Sequence, residues 1–173
     1  MSPALVLVGP PGAGKSTVGR LVAERLGLGF RDTDDDIVQA AGKPISEIFI
    51  DEGEDHFRAL ERQAVAAALE EHDGVLSLGG GAVLAPETRE LLRGHEVVLL
   101  DVDLGSASSR VGLNRERPVL ALNPRATLKR LLEERTPLYA EVARRVVDTS
   151  GVPLPEVVDR VVAGLGTGRT AGA

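Results

Sequence analysis

The sequence predicts an α/β fold in which helices cover both faces of a parallel sheet. Three observations carry this. Five short apolar runs, Ala4–Val8, Leu28–Arg31, Val75–Leu78, Val97–Val102 and Val146–Asp148, recur between longer amphipathic stretches. Strands that alternate with helices in this way belong to βαβ units, whose strands are parallel. The runs are near-continuously apolar, as strands buried on both faces require. Glycine-rich turns follow two of these runs, and such turns bring backbone close to a ligand at the carboxyl ends of strands.

The first strand runs into Gly9-Pro-Pro-Gly-Ala-Gly-Lys-Ser-Thr17 and then a helical stretch, Lys15–Leu26. Strand, glycine-rich turn and helix form the context of a phosphate-binding loop. Gly9, Gly12 and Gly14 permit a tight turn with N–H groups aimed at an anion, Ala13 and Thr17 complete the loop, and the helix adds its positive end. Lys15 supplies a point charge for the β- and γ-phosphates, and the Ser16 hydroxyl can ligate Mg²⁺.

The second strand ends in Asp32-Thr-Asp34-Asp-Asp36. Asp35 and Asp36 read as acids favoured by a helix dipole. Asp32 and Asp34 read as chemical groups, one for a Mg²⁺ water and one for a substrate hydroxyl, with helix capping as the simpler alternative. Helices are predicted over Asp35–Ala41, Ile45–Ile50 and Glu54–Glu71. Within the last, Arg58 and Glu61 share a face, as a surface ion pair or as a guanidinium oriented to grip a carboxylate.

The third strand leads to Gly79-Gly80-Gly81, where the chain approaches a ligand closely or simply turns. Further helices are expected over Pro86–Arg93, Ser106–Gly112, Pro124–Glu134, Leu138–Ala143 and Pro155–Leu165. Pro137 is expected to stop a helix near Arg135, placing Arg135 at a helix end. Residues 1–165 read as a single domain and residues 166–173 as a disordered tail.

Composition narrows the class of function. The 173-residue chain has a formal net charge of −6, and its arginines are scattered among acids, so no nucleic-acid face is expected. With no cysteine, disulfides, thiolate metal sites and a cysteine nucleophile are excluded. No apolar run approaches a membrane span, which makes cytoplasmic the expected location. His56, His72 and His95 lack ligand spacing and read as solvated. Val97–Asp101 has the form of a strand ending in a metal-binding acid, but Asp101 reads as a plain strand-end residue.

In order, these motifs resemble the shikimate kinase family. They are the phosphate loop with its extension to Gly19, Asp-x-Asp at Asp32–Asp34, Phe-Arg-x-x-Glu at Phe57–Glu61, and Gly79–Gly81. Arg-Pro-Val-Leu at Arg117–Leu120 and Arg-x-Pro-Leu-Tyr at Arg135–Tyr139 complete the set. The resemblance spans Leu5 to Asp148. It implies a three-layer sandwich around a five-stranded parallel sheet of the nucleoside-monophosphate-kinase type, a shikimate-binding region near residues 33–61 and a mobile lid near residues 112–124. It implies ATP- and Mg²⁺-dependent phosphorylation of the 3-hydroxyl of shikimate in aromatic amino acid biosynthesis. It assigns Lys15, Asp34 and Arg117 to the transfer, and Ser16 and Asp32 to Mg²⁺. It assigns Arg58, Arg135 and the Gly79–Gly81 backbone to shikimate, with Glu61 orienting that side and Phe49 and Phe57 as apolar walls. Arg117 is then the lid arginine on the phosphates, and Arg110 the residue stacked on adenine. The family's usual basic residue after the last strand is absent from Thr149–Pro153. A gluconate kinase is the nearest rival on this fold, and a nucleotide-binding switch without catalysis is the rival of another class. A monomer is expected.

Overall fold

The computed structural model describes residues 2–103, 105–106 and 124–165. The strands are β1 (Leu5–Val8), β2 (Phe30–Asp32), β3 (Val75–Ser77), β4 (Val97–Asp101) and β5 (Arg145–Asp148). The helices are α1 (Lys15–Leu26), α2 (Thr33–Ala41), α3 (Ile45–Glu52), α4 (Glu54–Glu71), α5 (Pro86–Leu92), α6 (Pro124–Val142) and α7 (Leu154–Leu165). A short 3₁₀ turn, Ala82–Leu84, joins β3 to α5. All five strands are parallel, in the order β2-β3-β1-β4-β5.

Alternation along the strands divides the core. Leu5 and Leu7 of β1, Val75 of β3 and Val98 and Leu100 of β4 pack against Val18 and Val22 of α1 and Val157, Val158 and Val161 of α7. Val6, Val8, Leu76, Val97 and Leu99 face the opposite way, onto Val65, Ala68 and Leu69 of α4 and Leu92 of α5. Both faces are therefore covered, which explains strands that are apolar throughout. A third cluster, Ile37, Ile48 and Phe57, ties α2, α3 and α4 together beside the sheet.

The register places Leu7, Ser77 and Asp32 at one level, so the loops after β1, β3 and β2 open at the same edge. Strand β3 lies between β1 and β2. Helix α2 starts two residues earlier than predicted because Asp32 itself caps it, accepting from the Asp34 N–H at 2.8 Å.

Helix α6 corrects the reading of Pro137. The predicted helices Pro124–Glu134 and Leu138–Ala143 are one helix, and Arg135 lies within it rather than at an end. A proline inside a helix removes one hydrogen bond and crowds the preceding turn, at about 3 kcal/mol. Burial on both sides offsets this. Leu128 packs with the α1–α7 core, whereas Tyr139 packs with the α4–α5 core. Helix α6 thus passes from one face of the sheet to the other. Of the predicted lid near 112–124, all but Pro124, which begins α6, lies outside the described residues, as do the helix Ser106–Gly112 beyond Ser106 and the tail 166–173.

Candidate active site

The loop after β1 is held by its own chemistry. Gly9 has φ +153°, and a Cβ there would stand 2.4 Å from the Leu100 carbonyl oxygen, so only glycine fits. Gly14 is left-handed at φ +85° and starts α1 without a side-chain cap, leaving the first-turn N–H groups to a ligand. The Lys15 ammonium donates to the carbonyls of Gly9 at 2.7 Å and Pro10 at 3.1 Å, which arches it back over the loop.

Ser16 Oγ donates to Asp32 Oδ2 at 2.6 Å, although β3 separates their strands. Asp32 is buried, and its other oxygen caps α2, so the capping reading holds. Mg²⁺ bound with nucleotide keeps waters and phosphate oxygens and takes only one or two protein ligands. The hard oxygens of Ser16 and Asp32 fit that requirement. Among the described residues no cluster of three or more His, Asp or Glu side chains forms a metal cage. Asp101, the other candidate, is exposed; its carboxylate accepts from the Val102 N–H at 3.0 Å.

Acids crowd the start of α2. The Asp35 carboxyl is held above its ordinary value, first by partial burial and then by the charge of Asp32, with Arg20 opposing. Asp36 instead pairs with Arg31 at 2.7 Å. Asp34 points the other way, toward the glycine triplet. A Cβ on Gly79 would stand 2.7 Å from Asp34 Oδ1 and 3.0 Å from Glu61 Oε2. On Gly80 it would meet Pro11 of the phosphate loop at 3.1 Å, and on Gly81 the Arg58 guanidinium at 2.2 Å. Three consecutive residues thus touch the candidate base, the phosphate loop and the candidate anion grip in turn.

Arg58 Nη1 donates to Glu61 Oε1 at 2.7 Å, and the Glu61 side chain is only 4% exposed. That burial means the pair is not a loose surface contact. The guanidinium also lies 5.2 Å from the centroid of the Phe57 ring, which packs on Phe49 at 4.8 Å. A cavity of about 300 Å³ opens here, lined by Phe49, Phe57, Arg58 and Arg135 among the predicted residues. Buried Arg135 gives it a second guanidinium from α6.

Sequence reasoning missed several cavity residues, among them Pro11, Ile45, Glu54, Leu84, Thr127 and Leu131. Ile45 with Phe49, and Thr127 with Leu131, are i, i+4 pairs, so helical spacing was the available signal. The solvated reading holds for exposed His56, whereas His72 and His95 are half-buried. His72 Nε2 lies 3.0 Å from the Val75 carbonyl, His56 pairs with Glu52 at 2.7 Å, and His95 Nδ1 sits 3.4 Å from Ser2 Oγ. Arg110 and Arg117 lie outside the described residues.

A five-stranded parallel sheet with a glycine-rich Lys-Ser loop at its carboxyl edge and a cavity lined by two guanidinium groups alongside has the parts of a P-loop kinase. The sequence model of the family "Shikimate kinase" matches residues 11–165. A shikimate kinase of Saccharopolyspora erythraea is 60% identical over 173 residues, covering 99% of each chain. One from Salinispora tropica is 66% identical over 151 residues, 87% of this chain and 90% of its own. Among solved structures, a shikimate kinase from Acinetobacter baumannii in complex with shikimate superposes with a TM-score of 0.92 at 34% identity, covering 98% of this chain and 95% of that one. A gluconokinase from Sinorhizobium meliloti, at 21% identity and a TM-score of 0.56, covers 94% of this chain and 91% of its own and shares the fold alone. The chain belongs to the shikimate kinase family. It is an enzyme, a kinase with ATP as co-substrate.

Proposed function

We propose that the chain transfers the γ-phosphoryl group of Mg-ATP to the 3-hydroxyl of shikimate, yielding shikimate 3-phosphate and ADP. The observation that carries this reading is the glycine triplet. Its successive residues abut Asp34, Pro11 and Arg58, so one short backbone segment joins a carboxylate, a phosphate cradle and a carboxylate grip.

The division of labour follows from chemistry. Backbone N–H groups of Gly12, Ala13, Gly14 and Thr17 hold the phosphates, and Lys15 leaves its loop carbonyls for the transferring group. Ser16 and Asp32 would hold Mg²⁺, which would supply charge neutralisation for the transfer. Arg58 and Arg135 take the shikimate carboxylate, and Glu61 fixes the plane of the Arg58 fork. Phe49 and Phe57 wall the ring. The Gly79–Gly81 backbone and Asp34 fix the hydroxyl groups, and Asp34 accepts the proton of the attacking 3-hydroxyl. Such a transfer depends on positioning and charge more than on covalent help. By resemblance, Arg117 reaches the phosphates from a lid near residues 112–124, and Arg110 stacks on adenine. Shikimate is recognised by residues from 33–61, and the protein acts as a monomer. Among the described residues no helix is long and apolar enough to cross a membrane.

A coupled ADP-release assay with shikimate and gluconate side by side tests the reading. Turnover with shikimate and none with gluconate is expected. The reverse, or no ADP with either acid, overturns it.

A further inference from the structure

The glycine triplet has two available orientations, and the residues assigned so far do not choose between them. The Ala82 N–H donates to the Gly79 carbonyl at 3.1 Å, so Gly79–Ala82 form a β-turn with Gly80 and Gly81 at its corners. Gly81 has φ −100° and ψ 4°. Those angles belong to the third position of a type I turn, near about −90° and 0°. A type II turn keeps the same ends and closing bond but turns over the central Gly80–Gly81 peptide. It requires positive φ at Gly81, which glycine adopts freely. Local backbone preference therefore leaves the peptide close to bistable.

Tyr139 breaks that balance. It is 2% exposed and sits in the α4–α5 core, and its hydroxyl donates to the Gly80 carbonyl at 2.5 Å. The Gly80–Gly81 peptide is trans, so its carbonyl and the Gly81 N–H point in opposite directions. A carbonyl held toward the core sends that N–H out of the core. Turning the peptide over breaks this buried hydrogen bond. A second tether holds the next residues. Arg89 of α5 donates to the carbonyls of Val83 at 2.7 Å and Leu84 at 3.1 Å, and it pairs with Glu141 of α6 at 2.6 Å.

We propose that Tyr139 is a positioning residue for the acceptor substrate: its hydroxyl locks the Gly79–Ala82 turn as type I and so fixes the direction of the Gly81 N–H donor. This rests on the reading that the triplet's backbone faces shikimate. Tyr139 touches no substrate itself and acts through the Gly80 carbonyl.

The test is Tyr139→Phe in the full chain, which keeps the ring and removes the hydroxyl. The KM for shikimate rises roughly five- to tenfold, as expected for one lost hydrogen bond acting on the bound state. The KM for ATP stays within about twofold, because the phosphate loop is held by other contacts. The Gly81 amide resonance broadens or doubles as the peptide begins to exchange. An unchanged shikimate KM, or equal rises in both KM values with a sharp Gly81 signal, would overturn the proposal. If wild type fails to phosphorylate shikimate, the proposed function falls, and the Gly81 resonance still decides the turn. Should the variant not fold, the wild-type Gly81 amide decides: one sharp resonance without shikimate is expected, and a doubled or exchange-broadened one overturns the proposal.

Discussion

A single methyl group at Gly81 would stand 2.2 Å from the Arg58 guanidinium. Gly81→Ala is therefore expected to push Arg58 off its bond with Glu61 and raise the KM for shikimate at least tenfold, with the KM for ATP little changed. Steady-state kinetics with each substrate varied in turn checks this. A second residue-scale expectation concerns acid. Burial first, and then the charge of Arg144, hold His95 below its ordinary value. Its folded pKa is thus lower than its unfolded one, near about 6.5. The unfolded chain binds more protons between the two values, so stability is full above the unfolded pKa and falls as pH drops toward the folded one. His95→Gln is expected to lose less Tm than wild type between pH 7.5 and pH 5.5, measured by thermal melts in matched buffers. Single residues were well legible where the chemistry is local. The phosphate loop and the Arg58–Glu61 pair needed only their own spacing. Tyr139 was not legible as a positioning residue, because its bond to Gly80 spans 59 positions.

Among elements, α6 behaves least as its sequence suggests. Pro137 reads as a stop, yet the helix runs from Pro124 to Val142. Local preference was overridden by packing: Leu128 and Leu132 anchor one half in the α1–α7 core, and Leu138, Tyr139 and Val142 anchor the other in the α4–α5 core. Thr136 Oγ1 also donates to the Leu132 carbonyl at 2.5 Å, just ahead of the proline. Because Pro137 offers no N–H to the Glu133 carbonyl, Pro137→Ala restores a helical bond. The gain, less the added freedom of the unfolded chain, is about 1 kcal/mol. A rise in Tm of roughly 2–4 °C is expected for a domain of this size, read by calorimetry. The five strands and six further helices were legible to within a residue or two, since their apolar periods agree with their packing. Boundaries moved where a side chain intervened, as Asp32 does in starting α2 early.

At the scale of the whole molecule, the order β2-β3-β1-β4-β5 brings the turns after β1, β2 and β3 to one edge, and the satellite cluster of α2, α3 and α4 stands beside them. The nucleotide half of the proposed site belongs to the sheet, whereas the proposed acceptor half draws on α2, α4, α6 and the glycine triplet. That assembly was legible as a set of residues but not as a shape. Nothing in the sequence says that α6 crosses over the sheet, which is what delivers Arg135 to the cavity. Ligand binding should stabilise the folded chain by mass action, by about 2.7 kcal/mol at a hundredfold excess over Kd. Shikimate alone is thus expected to raise the Tm by roughly 5–10 °C, and Arg135→Ala to abolish the rise at the same concentration.

Helix α6 joins two otherwise separate apolar interiors and lends its middle to the cavity wall. The position of that wall, and so the fit of any inhibitor resting on it, depends on packing in both interiors. Resistance can therefore arise at Leu128 or Val142, residues the inhibitor never meets.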